Sequence, residues 1–253
     1  MFCSIGEEGQ ALINILIILV PASLYIMGLL QVKKGYYFFV AGIFSHVLSI
    51  ILRGLSLGRI PLSEKHDNIS FMALSLALIY LYIYRKKIIS NLDIAALPLV
   101  SFFTVVSAVY LPINTVSPFL KTPWFYIHTF LYFGSYGFFG ISACIGIFYL
   151  LNGKSEYESI QYRTAIYGWI IFSVSLVAGS IWFFTAYGTY WLWTSKELWT
   201  ALTWFYYGLY LHARLINGLN GRPAAVLGCI GFLVALFSYF GMGTIIPSPP
   251  TQF

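Results

Sequence analysis

The chain has 253 residues, of which 59% are hydrophobic and only 9% are charged, and its formal net charge is +6. A water-soluble domain must cover itself with polar groups, so this composition excludes one and indicates a polytopic membrane protein. The positive charge does not indicate nucleic-acid binding, because the basic residues are scattered among short loops.

Eight apolar stretches predict eight transmembrane helices, because about 20 apolar residues cross the hydrocarbon core of a bilayer. In chain order they cover residues 10–31, 37–57, 69–84, 92–112, 124–151, 163–186, 197–217 and 222–243. The connecting loops are short, which predicts one all-α integral membrane domain over residues 1–253. Glu156 and Glu158, which precede the sixth stretch, are expected in a solvated loop.

The Lys and Arg residues predict how these helices are oriented. Nine of the 14 lie on one side of the predicted membrane, and these nine include the cluster Arg85, Lys86 and Lys87. Basic loops stay in the cytoplasm. Both termini and the loop before the seventh helix are therefore expected on the outer side of the inner (plasma) membrane.

Residues 187–214 carry the most informative pattern. Tyr190, Trp191 and Trp193 lie in a short loop, and Trp199 follows in the helix after it. Such an aromatic shelf at a membrane edge suits a large, flat, apolar ligand with a polar rim, and haem is the obvious candidate. Aromatic residues also gather at membrane interfaces without any ligand, so a structural role is the alternative.

The four histidines are candidate ligands, because a haem iron accepts an imidazole nitrogen. His128 is expected near the outer end of the fifth helix, on the side of the aromatic loop. His212 and His46 are expected about 8 and 13 Å from the cytoplasmic edge and could bracket one iron if their helices are neighbours. Each could instead only hydrogen-bond an adjacent helix. His66 is expected to be solvated in a polar outer loop.

Arg59, Lys121 or Lys196 could pair the propionates of a haem, since a carboxylate at a membrane edge needs a cation or water. No complete catalytic set is visible, because paired catalytic carboxylates are absent and the three cysteines show no metal-binding spacing. The sequence therefore identifies no catalytic residue and leaves enzymatic activity undecided.

Three segments, in order, resemble the cytochrome c assembly proteins, the CcsA/ResC and CcmC haem-handling family. Residues 187–199 and the YLHAR that ends at Arg214 are similar to the family's tryptophan-rich signature, WGxYWxWDPKExW, and the YLHxR after it. Residues 46–63 resemble its LRW-x-x-SG-x-x-PLSN region. Residues 123–135 resemble the helix that bears its first external haem-ligand histidine, here His128. The resemblance spans roughly residues 40–243.

The resemblance implies a function, a cofactor and partners. Members of the family hold haem, here expected as b-type haem, beside the outer surface, where it is joined to the CxxCH cysteines of apocytochrome c. A CcsB-like membrane partner usually completes the machine and supplies a histidine that pairs with the inner ligand, here His212. The implied haem site comprises iron ligands and aromatic walls, with one further histidine as a candidate: His128, His212, Tyr190, Trp191, Trp193, Trp199 and His46.

The chain also departs from the family pattern. Thr194 and Ser195 stand where the signature has Asp and Pro. No histidine follows His212, and the position of the family's second external histidine falls at Pro250. These departures favour two alternatives, a HemX-like accessory protein of tetrapyrrole biosynthesis or a non-catalytic structural subunit of a membrane respiratory complex.

Overall fold

The computed structural model describes residues 7–31, 34–110, 118–216 and 219–241. Within these ranges the chain forms eight α-helices and no β-strand, which confirms the predicted all-α class. The helices are α1 (Glu7–Leu30), α2 (Gly35–Leu57), α3 (Lys65–Arg85), α4 (Asp93–Val109), α5 (Pro123–Asn152), α6 (Ser155–Tyr187), α7 (Ser195–Ala213) and α8 (Arg222–Leu236). A π-helical turn, Phe237–Gly241, continues α8. Pro250, the position of the family's second external histidine, lies outside the described residues.

Several of these helices have the length and composition of membrane spans. Five are long and apolar enough to cross a bilayer, namely α2, α3, α5, α6 and the continuous helix Arg222–Gly241. The described apolar part of α1, Ile18–Leu30, and the helix α4 are shorter. The fold is therefore that of a helical protein with several membrane-spanning segments, whereas the eight crossings and the outward-facing termini stay predictions.

The start of α6 differs from the hydropathy prediction. The helix begins at Ser155, eight residues before the apolar stretch at 163, and its first turn contains Glu156 and Glu158. Acidic side chains favour the positive end of the helix dipole, so a polar sequence can begin a helix that hydropathy does not detect. The predicted loop is therefore wrong for both residues, and the predicted exposure is right for Glu156 but wrong for Glu158, which is buried.

Contacts divide the described chain into two compact units, with the boundary inside α5 between Thr129 and Phe130. In the first unit α1 packs against α2 and α4, while α3 packs against α4 and α2. Its core is aromatic and aliphatic, and Tyr25 is fully buried in it. The ring of Tyr25 would lie 2.7 Å from a Cβ at position 42, so Gly42 is what allows α1 and α2 to approach.

The second unit consists of α6, α7, α8 and the later part of α5, and aromatic side chains hold it together. Phe139 of α5 stacks on Tyr207 of α7 with ring centroids 3.7 Å apart. Tyr136 donates a hydrogen bond of 2.8 Å to the Ala235 carbonyl of α8. Packing and interhelical hydrogen bonds of this kind drive helix association where lipid supplies no hydrophobic force. The stack of Phe139 on Tyr207 joins α7 to α5, and α7 carries the candidate residues Trp199 and His212.

A buried glutamine lies where three helices of the second unit meet. Gln161 of α6 is fully buried and donates a hydrogen bond of 3.1 Å to the Ala225 carbonyl. Its amide nitrogen occupies the space that a Cβ would need at position 146 of α5 and at position 228 of α8. Glycine at both positions therefore makes room for the Gln161 side chain.

Candidate functional site

The aromatic loop, residues 188–194, connects α6 to α7 in the second unit. Gly188 ends α6 with a φ of +73°, a left-handed conformation that glycine adopts without strain. Thr194 has extended backbone angles and forms the N-cap of α7. The loop is therefore fixed at both ends by well-defined helix termini.

A capping box holds the end of the aromatic loop. The Thr194 hydroxyl accepts a hydrogen bond from the Glu197 backbone N–H at 3.4 Å. The Glu197 carboxylate in turn accepts from the Thr194 N–H at 2.7 Å and from the Leu192 N–H at 3.1 Å. Thr and Asp are both favoured N-cap residues, so Thr194 keeps this role where the family signature has Asp.

The loop aromatics form an open surface. Trp193 has a φ of +59°, unusual for a residue other than glycine, and its side chain is 73% exposed. Trp191 is partly buried and meets Trp193 edge to face at 6.1 Å. Tyr190 is 57% exposed and stacks on Phe184 of α6 at 4.5 Å. The structure thus supplies exposed aromatic rings. Phe184 of α6 stacks on Tyr190, and the capping box holds the backbone on both sides of Trp193.

Two details of the loop bear on what it could bind. The Nε1–H of Trp191 is buried and has no hydrogen-bond partner in the described part of the chain. Lys196, next to the N-cap, is exposed and could pair an anionic group. Trp199 lies one turn further along α7 and packs against Phe237 of the π-helical turn at 4.6 Å. Trp199 therefore joins α7 to the π-helical turn, and this packing role differs from the exposed position of Trp193.

His212 lies in the last turn of α7, about 27 Å along the helix from Thr194. Its side chain is exposed, and its Nδ1 lies 2.7 Å from the Gly208 carbonyl. An Nδ1–H bonded to a backbone carbonyl leaves Nε2 as the basic nitrogen, which is the arrangement that metal-binding histidines use. No hydrogen bond engages Nε2 within the described residues, and the role of His212 as an iron ligand stays a prediction.

His128 lies in the second turn of α5 and is half-buried, at the end of the first unit. Its role as an external iron ligand stays a prediction. Of the three cations proposed for the propionates, Lys121 and Lys196 are exposed. Arg59 instead donates a hydrogen bond of 2.7 Å to Glu64.

His46 is fully buried in the first unit. Its Nδ1 is 3.2 Å from the Tyr25 hydroxyl of α1, and its Nε2 is 2.9 Å from the Ser70 hydroxyl of α3. Both ring nitrogens are therefore engaged, and this arrangement favours a hydrogen bond between helices over iron ligation.

A buried ion-pair cluster in the first unit was not anticipated from the sequence. Arg53 pairs with Asp67 and with Glu64, and Glu64 also pairs with Arg59. His66, expected to be solvated, is only 4% exposed, and its Nδ1 lies 2.8 Å from the Ser107 carbonyl of α4, so that prediction is wrong. Arg53 and Arg59 lie within 15 residues of Glu64 and Asp67 in an otherwise apolar chain, and this local group of opposite charges was the signal that could have revealed the cluster.

The fold and the site together define a class, a helical protein with several membrane-spanning segments and an exposed aromatic loop. The chain belongs to the cytochrome c assembly protein family, which it matches over residues 62–247. This match includes the aromatic loop, α7 and His212, and it confirms the predicted family resemblance.

Known relatives agree with this membership. The chain is 27% identical over 223 residues to cytochrome c biogenesis protein CcsA of Chlamydomonas reinhardtii, covering 79% of this chain and 62% of that protein. It is 25% identical over 274 residues to CcsA of Guillardia theta, covering 91% of each. The solved structure of the cytochrome c haem lyase CcmF aligns with a TM-score of 0.71 at 15% identity. That alignment covers 94% of this chain but only 48% of CcmF, and it shows a shared fold.

Proposed function

We propose that the chain acts in cytochrome c biogenesis by holding b-type haem at the outer membrane face, against the aromatic loop, for attachment to apocytochrome c. The observation that carries this proposal is the exposed aromatic face of Trp193 and Tyr190, fixed by Glu197 at the start of α7. A porphyrin needs apolar or aromatic walls, and the exposed rings of Trp193 and Tyr190 supply them.

The proposed iron ligands are two histidines at separate positions: His128, in the first unit, as the external ligand, and His212, in the last turn of α7, as the inner ligand. The Nδ1 contact of His212 with Gly208 supports its part, because it leaves Nε2 of an exposed imidazole as the nitrogen that can bind iron. In this proposal the partner that completes the inner site is a CcsB-like membrane protein of the inner membrane, which offers a second histidine. Haem supplies the iron and the porphyrin, while the chain binds, orients and shields it.

Purification and a pyridine haemochrome spectrum test the proposal. The wild-type protein should carry haem, and Trp193→Ala combined with Tyr190→Ala should weaken haem binding by about tenfold, because both stacking faces are lost. Phe205→Ala is the matched control, since Phe205 is a 66% exposed aromatic on α7 outside the loop. Absence of haem from the wild type when haem is supplied would contradict the proposal, as would equal losses in the control.

A further inference from the structure

We propose that the second unit binds the phosphate group of an anionic membrane lipid in a polar cavity, at the end where α5 ends and α6 and α8 begin. The cavity has a volume of about 370 Å³, and its lining is Tyr149, Ser155, Glu158, Arg214, Asn220 and Gly221. The site contains no residue of the aromatic loop and neither proposed iron ligand. Lipid binding and haem binding can therefore fail separately.

The cavity lining presents hydrogen-bond donors, while its single carboxylate is already paired. Arg214 donates from Nε and Nη2 to the two oxygens of Glu158, at 2.6 and 2.8 Å. Its Nη2 also lies 3.3 Å from the Ser159 hydroxyl, whereas its Nη1 forms no hydrogen bond within the described residues. Asn220 and Ser155 are exposed and offer further donors. This set of donors favours an anionic ligand that has several acceptor oxygens.

Tyr149 is the lining residue that points most directly to a ligand. It is only 9% exposed, and its hydroxyl forms no hydrogen bond in the described part of the chain. A Cβ at position 221 would lie 3.5 Å from this hydroxyl, which places the hydroxyl beside Gly221 at the cavity. A polar group that is removed from water without a partner costs free energy. An acceptor oxygen bound in the cavity removes that cost.

A second arginine lies beside the cavity, at the start of α8. Arg222 follows Gly221, and its Nη2 donates a hydrogen bond of 3.0 Å to the Leu150 carbonyl at the end of α5. The Arg222 side chain is exposed, and its other guanidinium nitrogens form no hydrogen bond within the described residues. The first turn of α8 contains no acidic residue. The positive charge of Arg222 and the positive end of the α8 dipole therefore both favour an anion here.

The depth of the cavity favours a lipid as the source of the phosphate. Glu158 lies five residues before the apolar stretch that begins at 163, about 7 Å along α6 outside the hydrocarbon core and in the head-group layer. Leu215 and Ile216, which follow Arg214, are 71% and 56% exposed, so they offer an apolar surface to a lipid whose phosphate enters the cavity. Basic pockets between helices on the cytoplasmic side, where this end is predicted, typically bind anionic head groups.

The cavity and the proposed inner iron ligand lie on different faces of α7. Arg214 follows His212 by two residues, which is about 200° around a helix, and its backbone angles are still helical. His212 is exposed, whereas Arg214 is held against α6 by Glu158 and lies 4.3 Å from the centre of the Tyr162 ring. A lipid phosphate in the cavity therefore does not compete with iron at His212.

The competing account is a cavity that contains only solvent. Native mass spectrometry of the full-length protein in an uncharged detergent distinguishes the two accounts, with phosphatidylglycerol, phosphatidylcholine and inorganic phosphate as probes. One phosphatidylglycerol should bind about tenfold more tightly than phosphatidylcholine, because its head group has a net negative charge. Equal affinity for the two lipids would overturn the anionic site. Displacement of the lipid by millimolar inorganic phosphate would overturn the lipid as the source and assign the site to free phosphate.

Tyr149→Phe removes only the hydroxyl and should weaken phosphatidylglycerol binding by about tenfold, because a hydrogen bond to a charged acceptor is lost. The matched control is Tyr167→Phe, since Tyr167 is a 58% exposed tyrosine on α6 outside the cavity, and it should bind the lipid as the wild type does. Equal affinity of Tyr149→Phe and the wild type would overturn the site.

Arg222→Gln tests the same site from the start of α8. It removes one positive charge at an exposed position and should also weaken phosphatidylglycerol binding by about tenfold. If Tyr149→Phe does not fold, this variant decides in its place, since an unchanged affinity would overturn the site as well.

Discussion

Thr194 shows how one side chain can take over the local role of another. Its hydroxyl caps α7 and its N–H donates to Glu197, so Thr194 fills the N-cap position at which the family signature has Asp. We expect Thr194→Ala to destabilise the protein by about 1 kcal/mol, since a lost N-cap costs about that much. The melting temperature should fall by about 2–4 °C in a thermal-unfolding measurement.

The matched variant Thr194→Asp restores the family residue and keeps an N-cap acceptor. It should melt within the error of the wild type. A melting temperature as low as that of Thr194→Ala would contradict a pure capping role for Thr194.

At His128 the expected effect is on haem rather than on stability. If this imidazole binds iron, His128→Ala should lower the haem recovered with the purified protein by about tenfold. Added imidazole should partly restore the absorption spectrum, because a free ligand can occupy the vacated iron position. Ile127→Ala is the control, since Ile127 is a 44% exposed neighbour on α5, and a haem loss equal to that of His128→Ala would point to packing instead.

Among the helices, α6 and the end of α7 are joined by one bidentate ion pair. Arg214 donates from Nε to Glu158 at 2.6 Å and from Nη2 at 2.8 Å, and its guanidinium lies 4.3 Å from the centre of the Tyr162 ring. Glu158→Gln should destabilise the protein by about 2 kcal/mol, the usual scale for charge-assisted hydrogen bonds.

The residue two positions earlier supplies the control for this pair. Glu156 is exposed on the same turn of α6, so Glu156→Gln should leave the melting temperature unchanged, whereas Glu158→Gln should lower it by about 4–8 °C. Equal effects of the two variants would show that net charge, not the Arg214 contact, determines stability.

The helices differ in how far the sequence could predict them. Hydropathy located all eight helices because lipid requires long apolar runs. It missed the first eight residues of α6, since polar residues also form helices, and it could not detect the pairing of Arg53 with Asp67 across two helices. The aromatic loop was predictable from its signature, but the engagement of both His46 nitrogens depends on partners in α1 and α3 that no local pattern reveals.

For the molecule as a whole, the charge distribution makes a prediction about topology. Because nine of the 14 basic residues lie on one predicted side, a reporter fused after Lys87 should be cytoplasmic and one fused after Lys121 should be external. Paired phosphatase and fluorescent-protein fusions measure both positions. The opposite result at both sites would place the aromatic loop on the cytoplasmic side and remove the basis for outward haem presentation.

The buried Gln161 has a consequence for how this family can evolve. Because its amide fills the space of two absent Cβ atoms, the side-chain volumes at positions 146, 161 and 228 form a single constraint. A lineage that gains a methyl group at position 228 has to shorten residue 161 in compensation, and one that gains it at position 146 has to move Cys229 as well. Across family members, the three positions should therefore change together, and a deep alignment in which their sizes vary independently would contradict this coupling.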